Sequence, residues 1–102
     1  MIEFKVLREI EQNPAHTQRS LASTLDISLG KVNYVVAGLV EKGIIKARRL
    51  TTVPGTIRWR YILTPEGMKE KISLTKTYLG NRIHEFENMR REIEELKAEV
   101  DK

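Results

Sequence analysis

The stretch Thr17-Gln18-Arg19-Ser20-Leu21-Ala22-Ser23-Thr24-Leu25-Asp26-Ile27-Ser28-Leu29-Gly30-Lys31-Val32-Asn33-Tyr34 holds two helix starts separated by one tight turn. Thr17 can cap a helix because its hydroxyl accepts from an early backbone N–H that has no partner within the helix. Leu21, Ala22 and Leu25 form the buried face of that helix. Asp26-Ile27-Ser28 then reads as a tight turn, with Ile27 the apolar plug between two helices and Ser28 the cap of the next one. This third helix is predicted to run to about Lys42, where Gly43 supplies the left-handed residue that ends it. Its core stripe is Val32, Val36, Leu39 and Val40, at i, i+4, i+7 and i+8.

Upstream, Val6, Leu7 and Ile10 lie on one side of a short first helix, which Asn13-Pro14 ends because proline disfavours helical backbone at the residue before it. Downstream of Gly43 the period changes. Residues 44–48 and 57–63 are rich in β-branched and aromatic side chains and read as two strands. Between them lies Thr51-Thr52-Val53-Pro54-Gly55-Thr56, where Pro54-Gly55 suits the two central positions of a type II turn. On the second strand Trp59, Tyr61 and Leu63 share one face, with Trp59 and Tyr61 expected to pack on the core rather than to stack on bases, and Arg58, Arg60 and Ile62 share the other. Thr64-Pro65-Glu66-Gly67 then starts a helix, with Thr64 as cap, Pro65 at the first helical position and Glu66 favourable to the dipole.

Nothing but Gly80 interrupts that last helix, which would be roughly 54 Å long at 1.5 Å per residue over residues 65–100. A domain of about 64 residues is only some 25 Å across, so more than half of the helix must leave it. The expected division is therefore a domain over residues 1–64 and a long helix over 65–102. The fold class is mostly α with a small β-hairpin (α+β): a winged helix-turn-helix followed by a long C-terminal dimerisation helix.

Composition narrows the function. The chain has 102 residues and a net charge of +4, but residues 1–64 hold ten Lys/Arg against five Asp/Glu, whereas residues 65–102 hold eight against nine. A basic domain on a near-neutral helix suggests a polyanion partner for the domain. Cysteine is absent, which excludes a disulfide framework, a thiolate metal site and a catalytic thiol. The apolar runs are too short to span a bilayer, and MIEFKVLREIEQ carries no signal-peptide stretch, so a reducing cytoplasm is the expected setting. His16 and His84 have no partners at metal-ligand spacing, and neither GxxxxGK[ST] nor GxGxxG occurs. Glu92, Glu94 and Glu95 read as a solvated stretch. No enzyme, cofactor or metal site is expected.

In a winged helix-turn-helix the third helix is presented to a DNA major groove about 12 Å wide, and its N-terminus offers free N–H groups and a favourable dipole to phosphate. At 100° per residue the side opposite the core holds Gly30, Tyr34, Ala37, Gly38 and Glu41, flanked by Lys31 and Asn33. Asn33 could make paired hydrogen bonds to adenine, Lys31 could donate to guanine or phosphate, and Tyr34 offers a ring face and a hydroxyl. Small Gly30, Ala37 and Gly38 would let the backbone approach closely. Thr17, Gln18 and Arg19, with Ser28 at the start of the third helix, are candidates for phosphate contacts, and Arg48, Arg49, Arg58 and Arg60 for backbone or minor-groove contacts from the wing. The blander alternatives are a solvated face for Lys31 and Asn33, a core edge covered by Tyr34, and salt bridges from the arginines to tail glutamates.

On the long helix Ile72, Leu79, Phe86, Ile93 and Val100 recur every seven residues, with Ile83, Met89 and Leu96 three or four away. This is an apolar seam of coiled-coil type, made irregular by Thr75, Arg82 and Arg90. Met68 and Ile72 are expected to close the domain's own core. From Leu79 onward no core remains to cover, so Leu79, Ile83, Phe86, Met89, Ile93, Leu96 and Val100 are expected to form a homodimer interface. The other reading is an interaction module whose coiled coil recruits a different protein. RNA binding is disfavoured because the aromatics are placed for packing and form no stacking platform.

The runs Gln18-Arg19-Ser20-Leu21-Ala22, Ile27-Ser28-Leu29-Gly30-Lys31-Val32-Asn33-Tyr34 and Leu39-Val40-Glu41-Lys42-Gly43 resemble the MarR-type winged-helix regulators. Within these they are most similar to the small subgroup associated with extracellular polysaccharide (EPS) gene clusters, as is Tyr61-Ile62-Leu63-Thr64-Pro65-Glu66-Gly67 at the return from wing to long helix. The resemblance implies a dimeric bacterial transcription regulator of polysaccharide-production genes, with Lys31, Asn33 and Tyr34 on its recognition helix and double-stranded DNA as partner. Full-length MarR proteins carry extra helices at both ends, which build the dimer interface and often a ligand pocket. Here one C-terminal helix stands in their place, which leaves a small-molecule effector doubtful. Ala37-Gly38 also departs from the more basic recognition helix of the subgroup.

Overall fold

Hydroxyl caps start three helices of the computed structural model, which describes residues 1–53 and 56–101, with side chains described outside 50–53 and 56–58. The elements are α1 (Ile2–Gln12), α2 (Gln18–Leu25), α3 (Leu29–Glu41), β1 (Ile45–Val53), β2 (Thr56–Leu63) and α4 (Pro65–Val100). At α2 the Thr17 hydroxyl accepts from the Ser20 N–H at 3.1 Å, while the Ser20 hydroxyl accepts from the Thr17 N–H at 2.8 Å. Two otherwise orphaned donors are satisfied reciprocally, as in a capping box. The Ser28 hydroxyl accepts from the Lys31 N–H at 3.1 Å to start α3, and that of Thr64 accepts from the Gly67 N–H at 3.0 Å to start α4.

The stops are equally local. Asp26, at φ 54°, ends α2 in the left-handed region that a short polar side chain tolerates. Gly43, at φ 73°, ends α3, and the next N–H, that of Ile44, donates to the Leu39 carbonyl at 2.9 Å. Both turn assignments agree with the sequence.

The core joins Val6, Leu7 and Ile10 of α1, Leu21 of α2, Val32, Val35, Val36 and Leu39 of α3, Ile45 of β1 and Tyr61 of β2, with Ala22, Leu25, Ile27 and Leu63 packed at its margin. One stripe residue expected from sequence is corrected: Val40 is exposed and Val35 is buried in its place. The buried arc of α3 is centred on Val32 and Leu39, roughly 90° around the helix from Val40. His16 is the buried polar side chain of this region, and both ring nitrogens have partners: Nδ1 meets the Ser20 hydroxyl at 2.8 Å and Nε2 the Glu9 carboxylate at 3.1 Å. It ties the end of α1 to the capping box of α2.

β1 and β2 form an antiparallel hairpin with Ile45 opposite Leu63, Ala47 opposite Tyr61 and Arg49 opposite Trp59. β1 is longer than expected and takes in Thr51-Thr52-Val53, which the sequence places in the connecting loop. The expected Pro54-Gly55 turn lies outside the described residues. Trp59 is also corrected. It shares the inner face with Tyr61 and Leu63, but it is 52% exposed because the hairpin projects beyond the body and only the other two reach the core.

α4 docks through a different stripe from the one expected. Gly67 and, partly, Lys71, Leu74 and Tyr78 are covered, at i, i+4, i+7 and i+11, whereas Met68 and Ile72 are exposed. Lys71 Nζ lies 2.8 Å from the Glu11 carboxylate, and the Tyr78 ring stacks on Phe4 with centroids 4.6 Å apart. Beyond Tyr78 every described residue of α4 is exposed, and the molecule measures 72 × 26 × 20 Å. Among the described residues no helix is long and apolar enough to cross a membrane.

Candidate nucleic-acid interface

α3 buries Val32, Val35, Val36 and Leu39, and so turns Gly30, Lys31, Asn33, Tyr34 and Ala37 outward. Tyr34 is 75% exposed, so it does not cover a core edge, and Lys31 Nζ sits 5.9 Å from its ring centroid. A cation near a ring face at this distance holds both side chains on the N-terminal half of α3. Gly30 and Gly38 each have open space where a side chain would project, so no contact within the chain requires glycine there. A shallow groove along the same face is lined by Lys31, Tyr34, Ala37, Gly38 and Glu41, with Glu3 of α1 at its edge.

At the start of α2, Thr17 and Arg19 are exposed, and Gln18 is half-buried. The Gln18 side-chain amide donates to the Tyr61 hydroxyl at 3.0 Å, and its carbonyl oxygen accepts from the Asn33 amide at 3.2 Å. Gln18 therefore links β2 to the recognition helix, a role absent from the sequence reading. The only cue for it was the inward alternation of Tyr61, which brings a phenol to the foot of α2. The hydroxyls of Thr17 and Ser28 serve as caps, each accepting from a backbone N–H of its own helix.

On the wing, Arg48 and Arg49 are exposed. Arg60 is half-buried and donates through Nη1 to the Pro14 carbonyl at 3.2 Å, so it braces the wing against the loop before α2. Arg58 lies in β2 opposite Leu50, and its side chain is outside the described residues. Arg48 and Arg60 are directly opposed, hence on one face of the hairpin, and like charges so placed are unfavourable unless an anion screens them. Among the described residues no wing arginine pairs with a tail glutamate; the ion pairs are His16–Glu9, Lys71–Glu11 and Arg82–Glu85. Also among the described residues, no three His, Asp or Glu side chains cluster to hold a metal.

Three helices, a tight turn between the second and third, and a basic two-stranded wing define a winged helix-turn-helix. Residues 2–46 match the model of the winged helix-turn-helix DNA-binding family. No curated protein matches the chain. Among solved structures it is similar to a transcriptional regulator homologue from Pyrococcus horikoshii OT3, at 16% identity and a TM-score of 0.60 over 78% of this chain and 81% of that one. It is also similar to MarR of Staphylococcus aureus in complex with salicylate and kanamycin, at 18% identity and a TM-score of 0.59 over 81% of this chain. The match spans 55% of the length of that MarR chain. At these identities the likeness is one of fold.

Proposed function

We propose that the chain is a MarR-type transcription regulator that reads double-stranded DNA as a homodimer, with residues 1–64 on the DNA and residues 65–102 pairing two copies. The observation that carries this is the outward face of α3. Lys31, Asn33 and Tyr34 stand exposed on its first turns, beside a wing whose Arg48 and Arg49 have no acidic partner among the described residues. α3 enters the major groove, the capped starts of α2 and α3 face phosphate, and the wing follows the adjacent backbone or minor groove. Resemblance to the EPS-associated subgroup supports polysaccharide-production genes as the targets. The exposed seam from Leu79 to Val100 supports pairing, since an uncovered apolar stripe of this length marks an association surface.

Selection of bound sequences from a random duplex library at about 150 mM salt tests the proposal. The expected result is an enriched palindrome with half-sites roughly one helical turn apart. Uniform recovery would overturn it in favour of a protein-interaction module. Two further results are expected on the selected site. Affinity falls by roughly 10³–10⁵ between 50 and 200 mM salt if six to ten phosphates are neutralised, as a titration at several salt concentrations would show. Asn33→Ala costs about 1–3 kcal/mol per half-site and relaxes preference at one base position of each half-site, whereas Arg48→Ala with Arg49→Ala weakens all sequences alike and, with two cations lost from each copy, lowers the salt slope by about 4. Equal effects of the two variants on every sequence would remove Asn33 from base reading.

A further inference from the structure

We propose that the two copies pair through the end of α4 in parallel and in register, so that both DNA-binding domains sit at the same end of a two-stranded coil. This pairing presupposes the homodimer proposed above. From Phe86 onward the exposed apolar side chains fall at regular alternating steps of three and four: Phe86, Met89, Ile93, Leu96 and Val100. They are the a and d positions of a heptad repeat. Toward the domain the repeat is interrupted: Leu79 keeps the a position, but the d position falls on Arg82, bonded to Glu85 of its own helix at 3.0 Å, with Ile83 beside it, so the regular seam begins at Phe86. The stripe lies roughly a third of a turn around the helix from the side that holds Lys71, Leu74 and Tyr78 on the domain, so a second copy can approach without displacing the domain.

The charges flanking the stripe choose the direction. In this repeat Glu85, Glu92 and Glu99 occupy g, on one side of the seam, and Arg90 and Lys97 occupy e, on the other; all are exposed. In a parallel pair each g faces the e of the next heptad on the partner helix, which sets Glu85 against Arg90 and Glu92 against Lys97, twice over by symmetry. In an antiparallel pair g faces g and e faces e, which sets glutamate against glutamate and cation against cation along the whole seam. Seam chemistry alone is indifferent, because apolar layers form in either direction. The segregation of acid to one flank and base to the other is what a parallel second copy of this chain complements.

The chain has no cysteine, so a single introduced thiol reports its own neighbour. Met89→Cys and Val100→Cys, made separately in the full chain, lie about 16 Å apart along the helix. Under mild oxidation the parallel dimer crosslinks at both positions. An antiparallel dimer crosslinks at one at most, since only a residue at the two-fold axis meets its own copy. Crosslinking at one or neither position, with native mass showing a dimer, would overturn parallel pairing and leave the homodimer standing. A monomeric unaltered chain at micromolar concentration would overturn both. As a second readout, Arg90→Glu with Lys97→Glu raises the dimer dissociation constant roughly tenfold at low salt, on the scale of four weak surface pairs lost. Adding Glu85→Lys and Glu92→Lys restores it. An antiparallel seam keeps like facing like in the first variant, and its unchanged constant would overturn the proposal.

Discussion

Gly67→Ala lowers the thermal unfolding midpoint by about 15 °C, the equivalent of about 3 kcal/mol in a domain of this size. A Cβ built on Gly67 runs into the backbone carbonyl of Ile44, and the Thr64 hydroxyl stands 3.3 Å away. That carbonyl is held in place. It accepts from the Thr64 N–H at 3.1 Å, while the Thr64 hydroxyl that caps α4 donates to the adjacent Gly43 carbonyl at 2.5 Å. Moving it aside would break the junction between α3, the hairpin and α4, so the clash cannot relax through a flexible side chain. Gly80→Ala is the contrast. Gly80 lies in α4 with open space around it, and alanine there should raise the midpoint slightly through helix propensity, by about 1 kcal/mol. Calorimetry of both variants checks the pair, and an unchanged midpoint for Gly67→Ala would show that α4 does not need its close approach to Ile44.

Phe86→Asp raises the dimer dissociation constant by a factor on the order of 10³ or more, since truncating a buried phenylalanine alone costs about 3–5 kcal/mol and a carboxylate in the seam adds desolvation. Phe86 is 65% exposed in the single chain and touches no part of the core cluster, so the variant should fold as the parent does. Sedimentation or native mass at micromolar concentration reads association, and circular dichroism reads folding. A folded monomer whose affinity for the selected palindrome has collapsed is the expected outcome. A dimer that persists would place the interface elsewhere.

The starts of α2, α3 and α4 and the stops of α1, α2 and α3 were legible because their signals act within four residues. Thr17, Ser28 and Thr64 cap, Asp26 and Gly43 terminate, and Pro14 follows the end of α1, each through its own backbone neighbours. The outward chemistry of α3 was legible for a related reason: once Val32, Val36 and Leu39 face inward, the 100° step leaves Lys31, Asn33 and Tyr34 outside. The hairpin followed from its change of period, although β1 runs longer than propensity suggested, because pairing resumes at Val53 with Thr56 beyond an irregularity in register after Leu50.

Other features depended on distance through space. α4 carries two apolar stripes, Met68/Ile72 and Leu74/Tyr78, and periodicity rates either as core; Phe4 and Glu11 on α1 select the second by stacking and ion pairing. Val35 displaces Val40 because α3 is rotated toward its neighbours, and Trp59 stays outside because the wing overhangs the body. The Tyr61–Gln18–Asn33 chain spans 43 and 15 residues of separation, and Gly67 meets a carbonyl on a different element. What the sequence by itself determined was where the capped helices begin and where the first three stop, since hydrogen bonds and φ preferences are settled locally. Only the tertiary structure decided which of two equivalent faces is buried and which side chains bridge elements, because those choices are made by packing between segments far apart in the chain.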